Sequence, residues 1–285
     1  MYFYHGLLKP SYFRWLLIFI FLFRITMNID EFAAAGKEIA IRAGKYALYR
    51  LRTEFSVEHK GAINLVTEVD IAAEEMIVAG LLGKFPDHSI LAEEKNSETR
   101  GGTCKWVIDP LDGTTNYAHG FPFFSVSIGL EISGKVMLGI VYDPVHDELF
   151  TARKDSGAFC NDEPLHVSNT EKLDAGLLAT GFPYDIRTSE LNNLDKFCAF
   201  AIRCQGVRRT GSAALDLCYV AAGRLDGFWE SKLNPWDCAA GYLLVSEAGG
   251  LVTDYRGAPA SIYKAEVVAS NGRIHQEMLA VLKTV

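Results

Sequence analysis

The sequence predicts a layered fold of mixed helix and strand, of the α/β or α+β class. Apolar runs short enough for buried strands, such as 89–92 and 105–108, are interleaved with segments whose apolar residues recur at helical spacing. The 285 residues are 49% hydrophobic and 22% charged, ordinary globular usage that argues against disorder, collagen-like structure and coiled coil. No internal repeat or low-complexity segment interrupts the mixture, so helices are expected to cover sheets.

Taken in order, residues 15–23 form an unbroken apolar run bracketed by Arg14 and Arg24. A spanning helix needs about 20 apolar residues, so membrane attachment is only the runner-up reading. A secretory leader suits the run and its cations Lys9 and Arg14, but the small-residue cleavage candidate Ala33-Ala34-Ala35 falls inside an expected helix. Residues 1–26 are therefore read as an apolar extension, an upstream start or a disposable leader. Residues 27–285 are read as the functional domain, in two halves of about 27–172 and 173–285.

Asn28 and Glu31 have capping-box spacing and open a helix over 29–50, with Phe32, Ala35, Ile39 and Ala43 on one face. Residues 62–67 read as strand or hairpin, and 70–82 as a helix striped by Ala72, Met76 and Ala79. Strands 89–92 and 105–108 follow, then 123–132 and 135–142 around the turn Ser133-Gly134, with 148–151 beyond. In the second half 177–179 and 206–208 are strands. Residues 192–203, 213–222 and 236–248 are helices, the last preceded by Pro235 and stopped by Gly249-Gly250.

The net charge is −7, and it becomes −10 without residues 1–26, which carry Lys9, Arg14 and Arg24 and no acid. That balance argues against a reader of nucleic-acid backbones. Six cysteines, none in a C-x-x-C pair, suggest reduced thiols in a cytoplasmic protein rather than zinc or disulfide scaffolding.

The chemistry concentrates in Asp109-Pro110-Leu111-Asp112-Gly113-Thr114-Thr115-Asn116, which follows a buried strand. Two carboxylates stand at a strand end beside the start of a helix, where free N–H groups attract a phosphate. Hard oxygens beside an anion cradle suit Mg²⁺ shared between protein and substrate phosphate. Taken alone the string is as well explained by an Asx turn and a helix cap. It is accompanied by Glu93-Glu94 at another strand end, by Asp70 after Asn64-Leu65-Val66-Thr67-Glu68-Val69, and by Trp236-Asp237 opening a helix. Each has its own plain reading as a solvated loop, a cap or a dipole partner.

Together with Arg209-Thr210-Gly211-Ser212-Ala213-Ala214 and Pro235-Trp236-Asp237 followed by Ala239-Ala240-Gly241, these motifs resemble the inositol monophosphatase family of Mg²⁺-dependent, lithium-sensitive phosphatases, most closely its bacterial, SuhB-like branch. The resemblance covers about 28–285. It implies an alternating α-β-α-β-α sandwich of the inositol monophosphatase and fructose-1,6-bisphosphatase type, and commonly a homodimer. It also implies two or three Mg²⁺ ions: one on Glu93, Asp109 and the Leu111 carbonyl, one on Asp109, Asp112 and Asp237, and a weaker third near Glu93. By the same resemblance Thr114 and Asp70 orient a water, and Gly113, Thr114 and Thr115 take the phosphate. Asp112, Gly211, Ser212, Glu230 and Asp237 complete the substrate site, Glu230 on the hydroxyls.

Fructose-1,6-bisphosphatases usually continue with Ser-Ser after the shared glycine, and nucleotide 3′-phosphatases and histidinol phosphatases usually carry Lys or Arg where this chain has Thr115. Thr115-Asn116 therefore favours inositol 1-phosphate and small polyol monophosphates. Bacterial members can also be partners of the transcription machinery, a role without a motif to read.

Overall fold

The structure, a computed structural model, describes the backbone of residues 10–59 and 65–285 and the side chains of 29–58 and 65–285. In chain order the elements are α1 (Pro10–Arg50), β1 (Val57–His59), β2 (Leu65–Thr67), α2 (Glu68–Lys84), β3 (Ser89–Ala92), β4 (Cys104–Asp112), α3 (Thr114–Ala118), β5 (Ser125–Ile132), β6 (Lys135–Asp143), β7 (Glu148–Arg153), β8 (Gly157–Cys160) and β9 (Glu163–Pro164). The second half supplies β10 (Leu177–Thr180), α4 (Leu194–Ala201), β11 (Gly206–Arg208), α5 (Ala213–Ala221), β12 (Gly227–Ser231), α6 (Pro235–Glu247), β13 (Leu251–Thr253), β14 (Glu266–Ser270) and α7 (His275–Leu282).

A seven-stranded sheet runs β3-β4-β5-β6-β7-β8-β9, antiparallel except at β3–β4. A five-stranded mixed sheet runs β11-β10-β12-β14-β13. The strand side chains alternate between faces, as a period of two requires, and the alternation sorts them into three cores. Trp106, Ile108, Leu138 and Ile140 pack under α1 and α2. Val107, Val141, Ala179, Phe228, Val267 and Ala269 close on α5 and α6 between the sheets. Leu178, Trp229 and Val268 point the other way, onto α4 and α7. The layers are thus helix, sheet, helix, sheet, helix, the sandwich the resemblance implies. Because α6 lies between two sheets, Cys238 through Val245 are all buried and the helix has no polar face.

Some boundaries differ from the expectation. Asn28 does not start α1; the helix begins at Pro10 and its backbone continues through position 28. Among the described residues no helix is long and apolar enough to cross a membrane. The expected strand at 62–67 is present as β2 over Leu65–Thr67, paired antiparallel with β1; positions 62–64 lie outside the described residues. The helix expected over 192–203 starts only at Leu194 because Asn193 takes a left-handed conformation, φ 69°, and it ends at Ala201.

Candidate active site

The site begins with an irregularity in β4. Asp109 pairs with Ser127 and Asp112 with Ser125, so three steps on β4 match two on β5. The surplus residue is a β-bulge, and Pro110 sits in it with no N–H to lose from the ladder. Asp109 Oδ1 accepts the Leu111 N–H at 3.0 Å, which folds its carboxylate back over the bulge. Gly113 follows at φ +104°, a backbone state that glycine alone enters cheaply. It turns the chain into α3, whose first N–H groups, from Thr114 and Thr115, have no acceptor within the helix.

Each acid is held by its own partners. Asp70 accepts the Thr67 N–H at 2.9 Å in a capping box at the start of α2, and the Thr67 hydroxyl as well. Its other oxygen accepts the Thr114 hydroxyl at 2.9 Å, which joins the two residues the sequence expectation paired. Asp112 accepts the Ser212 hydroxyl at 2.5 Å and the Ala214 N–H at 2.8 Å. The Ser212 side chain, expected on substrate, is therefore engaged in holding Asp112 and in capping α5. Asp237 accepts the Asn234 N–H at 2.6 Å in a second capping box, at the start of α6. Asn116 donates to the carbonyls of Phe123 and Thr210, both at 2.8 Å, and so ties α3 to the segment that carries Gly211 and Ser212.

Two acids that sequence reasoning missed belong to the same machinery. Glu74, fully buried in α2, accepts the N–H groups of Glu94, Lys95 and Asn96 at 2.7–2.8 Å and the Asn96 amide at 3.0 Å. It anchors the loop that presents Glu93. Asp216, buried in the first turn of α5, accepts the Thr210 hydroxyl at 2.6 Å. Neither lies in a recognisable string; the one available signal was an acid on an otherwise apolar helical face.

Glu93, Asp109, Leu111, Asp112, Gly113, Thr114, Thr115, Gly211, Ser212, Glu230 and Asp237 line one cavity of about 310 Å³; Asp70 stands behind Thr114. Seven carboxylates line it against two cations, Arg209 and Lys232, and Lys232 is paired with Asp185. Burial first, and then repulsion from Glu93, Asp112 and Asp237, hold the Asp109 carboxyl well above its ordinary range. Burial pushes Asp112 up to about 6 and Asp237 to about 7. Glu230 is also raised, by burial and then by Asp237, Asp216 and Asp112. It is 9% exposed, which excludes a solvated rim position. Among the described residues no three His, Cys, Asp or Glu side chains already meet closely enough to enclose a metal. The donors that converge are all hard oxygens in uncompensated excess, which suits cations that keep water and phosphate among their ligands, as Mg²⁺ does.

The family model described as the inositol monophosphatase family matches residues 28–284. An inositol-1-monophosphatase of Synechocystis is 47% identical over 248 residues, 86% of this chain and 83% of that protein. The Nus factor SuhB of Escherichia coli K12 is 44% identical over 244 residues, 85% of this chain and 91% of that one. The solved structure of an inositol monophosphatase from Anabaena superposes with a TM-score of 0.83 at 44% identity, covering 90% of this chain and 97% of that chain.

Proposed function

The chain belongs to the inositol monophosphatase family, a metal-dependent one, and on that premise we propose that it is a Mg²⁺-dependent phosphomonoesterase. It hydrolyses inositol 1-phosphate and related small polyol monophosphates with water as the nucleophile and no phosphoenzyme. The reading rests on one observation above all: four separately anchored acids, Glu93, Asp109, Asp112 and Asp237, converge on a cavity that also contains the backbone of Gly113–Thr115.

In this reading Glu93, Asp109 and the Leu111 carbonyl would hold one ion and Asp109, Asp112 and Asp237 a second, with Glu93 serving a third. Bound ions supply the positive charge that acidifies water and stabilises a leaving alkoxide. The chain's own residues do the rest. Asp70 draws the Thr114 hydroxyl hydrogen toward itself, leaving Thr114 Oγ1 as an acceptor that orients the attacking water. The N–H groups of Gly113, Thr114 and Thr115 receive the phosphate, and Ser212 keeps Asp112 aimed. Glu230 accepts hydrogen bonds from substrate hydroxyls.

A Mg²⁺-supplemented panel of inositol 1-phosphate, fructose 1,6-bisphosphate, a nucleotide 3′-phosphate and histidinol phosphate tests the assignment; preference for any of the last three reassigns the substrate. Charge-assisted hydrogen bonds contribute about 1.5–3 kcal/mol. Glu230→Gln should therefore lower kcat/KM for inositol 1-phosphate by roughly 10–150-fold and cost an ester without hydroxyls much less. Equal losses on both would make Glu230 structural.

A second, non-catalytic role as a partner of the transcription machinery is supported by relatives named Nus factor SuhB, at 46% and 44% identity. Retrieval of transcription proteins by the inactive Asp109→Asn form would separate the two roles. We also propose a homodimer in the cytoplasm, which light scattering and fractionation check.

A further inference from the structure

We propose that Gly181 is a specificity-determining position: its bare Cα is the seat on which the Glu230 carboxylate rests when it reads the hydroxyls of a polyol monophosphate. The proposal builds on the role given to Glu230 above. β10 and β12 are parallel neighbours in register Thr180 to Trp229, so the next residues, Gly181 just past the end of β10 and Glu230 still paired within β12, stand side by side and line the cavity. A Cβ on Gly181 would lie 2.1 Å from Glu230 Oε1 and 2.4 Å from both Cδ and Oε2. The whole carboxylate occupies the space of the missing methyl group.

Neither strand end is free to retreat. Asn193, 3% exposed, donates its amide to the Gly181 carbonyl at 2.7 Å and to Thr180 Oγ1 at 2.9 Å. Its Oδ1 accepts the Trp229 indole N–H at 2.9 Å, and Thr180 Oγ1 donates to the Trp229 carbonyl at 2.5 Å. One buried amide therefore holds the Gly181 carbonyl and the Trp229 indole together, while the Thr180 hydroxyl ties down the Trp229 carbonyl. A methyl group at 181 meets a locked backbone beneath it and a flexible side-chain end above, so the carboxylate is what moves. The acids of β4 and α6 are anchored by other partners and stay in place.

The experiment compares Gly181→Ala, Glu230→Ala and the double variant on inositol 1-phosphate and on phenyl phosphate, which has a ring and no hydroxyls. Gly181→Ala should lower kcat/KM for inositol 1-phosphate about tenfold or more, mainly through KM, with a much smaller loss on phenyl phosphate. In the Glu230→Ala background the clash partner is gone, so Gly181→Ala should add nothing. If Gly181→Ala alone does not fold, the double variant should, because the methyl group then has room. If Glu230→Ala leaves the preference between the substrates unchanged, Glu230 does not read hydroxyls and the proposal falls with that reading. If Glu230→Ala is selective and Gly181→Ala is silent, or its losses add fully to those of Glu230→Ala, Gly181 is not the seat.

Discussion

Asp109 carries the largest single effect expected in this protein. It is 2% exposed, meets the repulsion of three other acids, and in the proposed site bridges two ions. Asp109→Asn keeps its shape and removes one charge from both positions, so activity should fall at least about 100-fold, or ~2.7 kcal/mol in the transition state, without unfolding. Near-normal turnover at saturating Mg²⁺ would refute the bridge. The raised carboxyls also set a pH dependence. An unfolded Asp titrates near about 3.9, whereas Asp112 and Asp237 do so at about 6 and about 7 in the fold. The native state then binds the extra protons, so the metal-free protein should lose stability as pH rises from about 4 and level off only above about 7. Mg²⁺ favours the ionised forms and should flatten the slope. Melting curves at pH 5 and pH 8, with chelator and with Mg²⁺, check this; equal melting temperatures in chelator would remove the electrostatic account. Asp109 and Asp112 are legible in the sequence because Asp-x-x-Asp-Gly is a local string. Asp216 is not, since what makes it part of the site is the cavity that the fold puts beside it.

At the scale of elements, a short loop depends on a distant helix. The Glu93-Glu94 segment takes its shape from Glu74, whose carboxylate stands where the loop's N–H groups need an acceptor. Glu74→Ala should release the loop and raise the Mg²⁺ concentration needed for half-maximal activity several-fold. The shift should appear equally in the Mg²⁺-induced rise of melting temperature, a readout independent of turnover. An unchanged Mg²⁺ requirement by both measures would confine Glu74 to packing. The elements α2, α6, β5 and β6 are legible because their signals are local: β5 and β6 flank Ser133-Gly134 and α6 is bracketed by Pro235 and Gly249-Gly250, although the buried stripe of α2 is Ala73, Ile77 and Leu81 and not Ala72, Met76 and Ala79. The missed strands β1, β8, β9, β12, β13 and β14 are short. β14 pairs with β12 across a helix, so its reason for being a strand lies some 40 residues away. The bulge in β4 is invisible to periodicity as well, although Pro110 marks the position that can accept it.

For the whole molecule, the two sheets are joined by a shared helical layer, α5 and α6, and the site sits where β4 and both of those helices meet. Every residue assigned to it lies beyond residue 69, and among the described side chains the buried ones of α1 begin at Ile29. A chain of residues 27–285 should therefore fold and turn over substrate like the 285-residue chain. Comparing expression, fractionation and turnover of the two decides it; aggregation of the shorter chain would make residues 1–26 part of the fold. The layered class was legible from the alternation of patterns, and the sandwich from the resemblance. The locking of one half into the other was not, because no local pattern tells that α6 lies on β5 and β6.

Synthesis on the ribosome meets this site in instalments. Asp70 and Glu93 emerge first, then Asp109 and Asp112, but the Ser212 hydroxyl that orients Asp112 follows 100 residues later, the Ala214 N–H 102 residues later, and Asp237 after both. Until then the inner face of the first sheet lacks the cover of α5 and α6, so its acids lack the burial that is the main cause of their raised pKa values. Closing so long a loop has an entropic cost that only the docking of α5 and α6 can offset. Chemistry is thus the last property this chain acquires. A nascent or truncated first half should have the conspicuous motif and no turnover, and refolding should restore turnover no sooner than the middle layer closes.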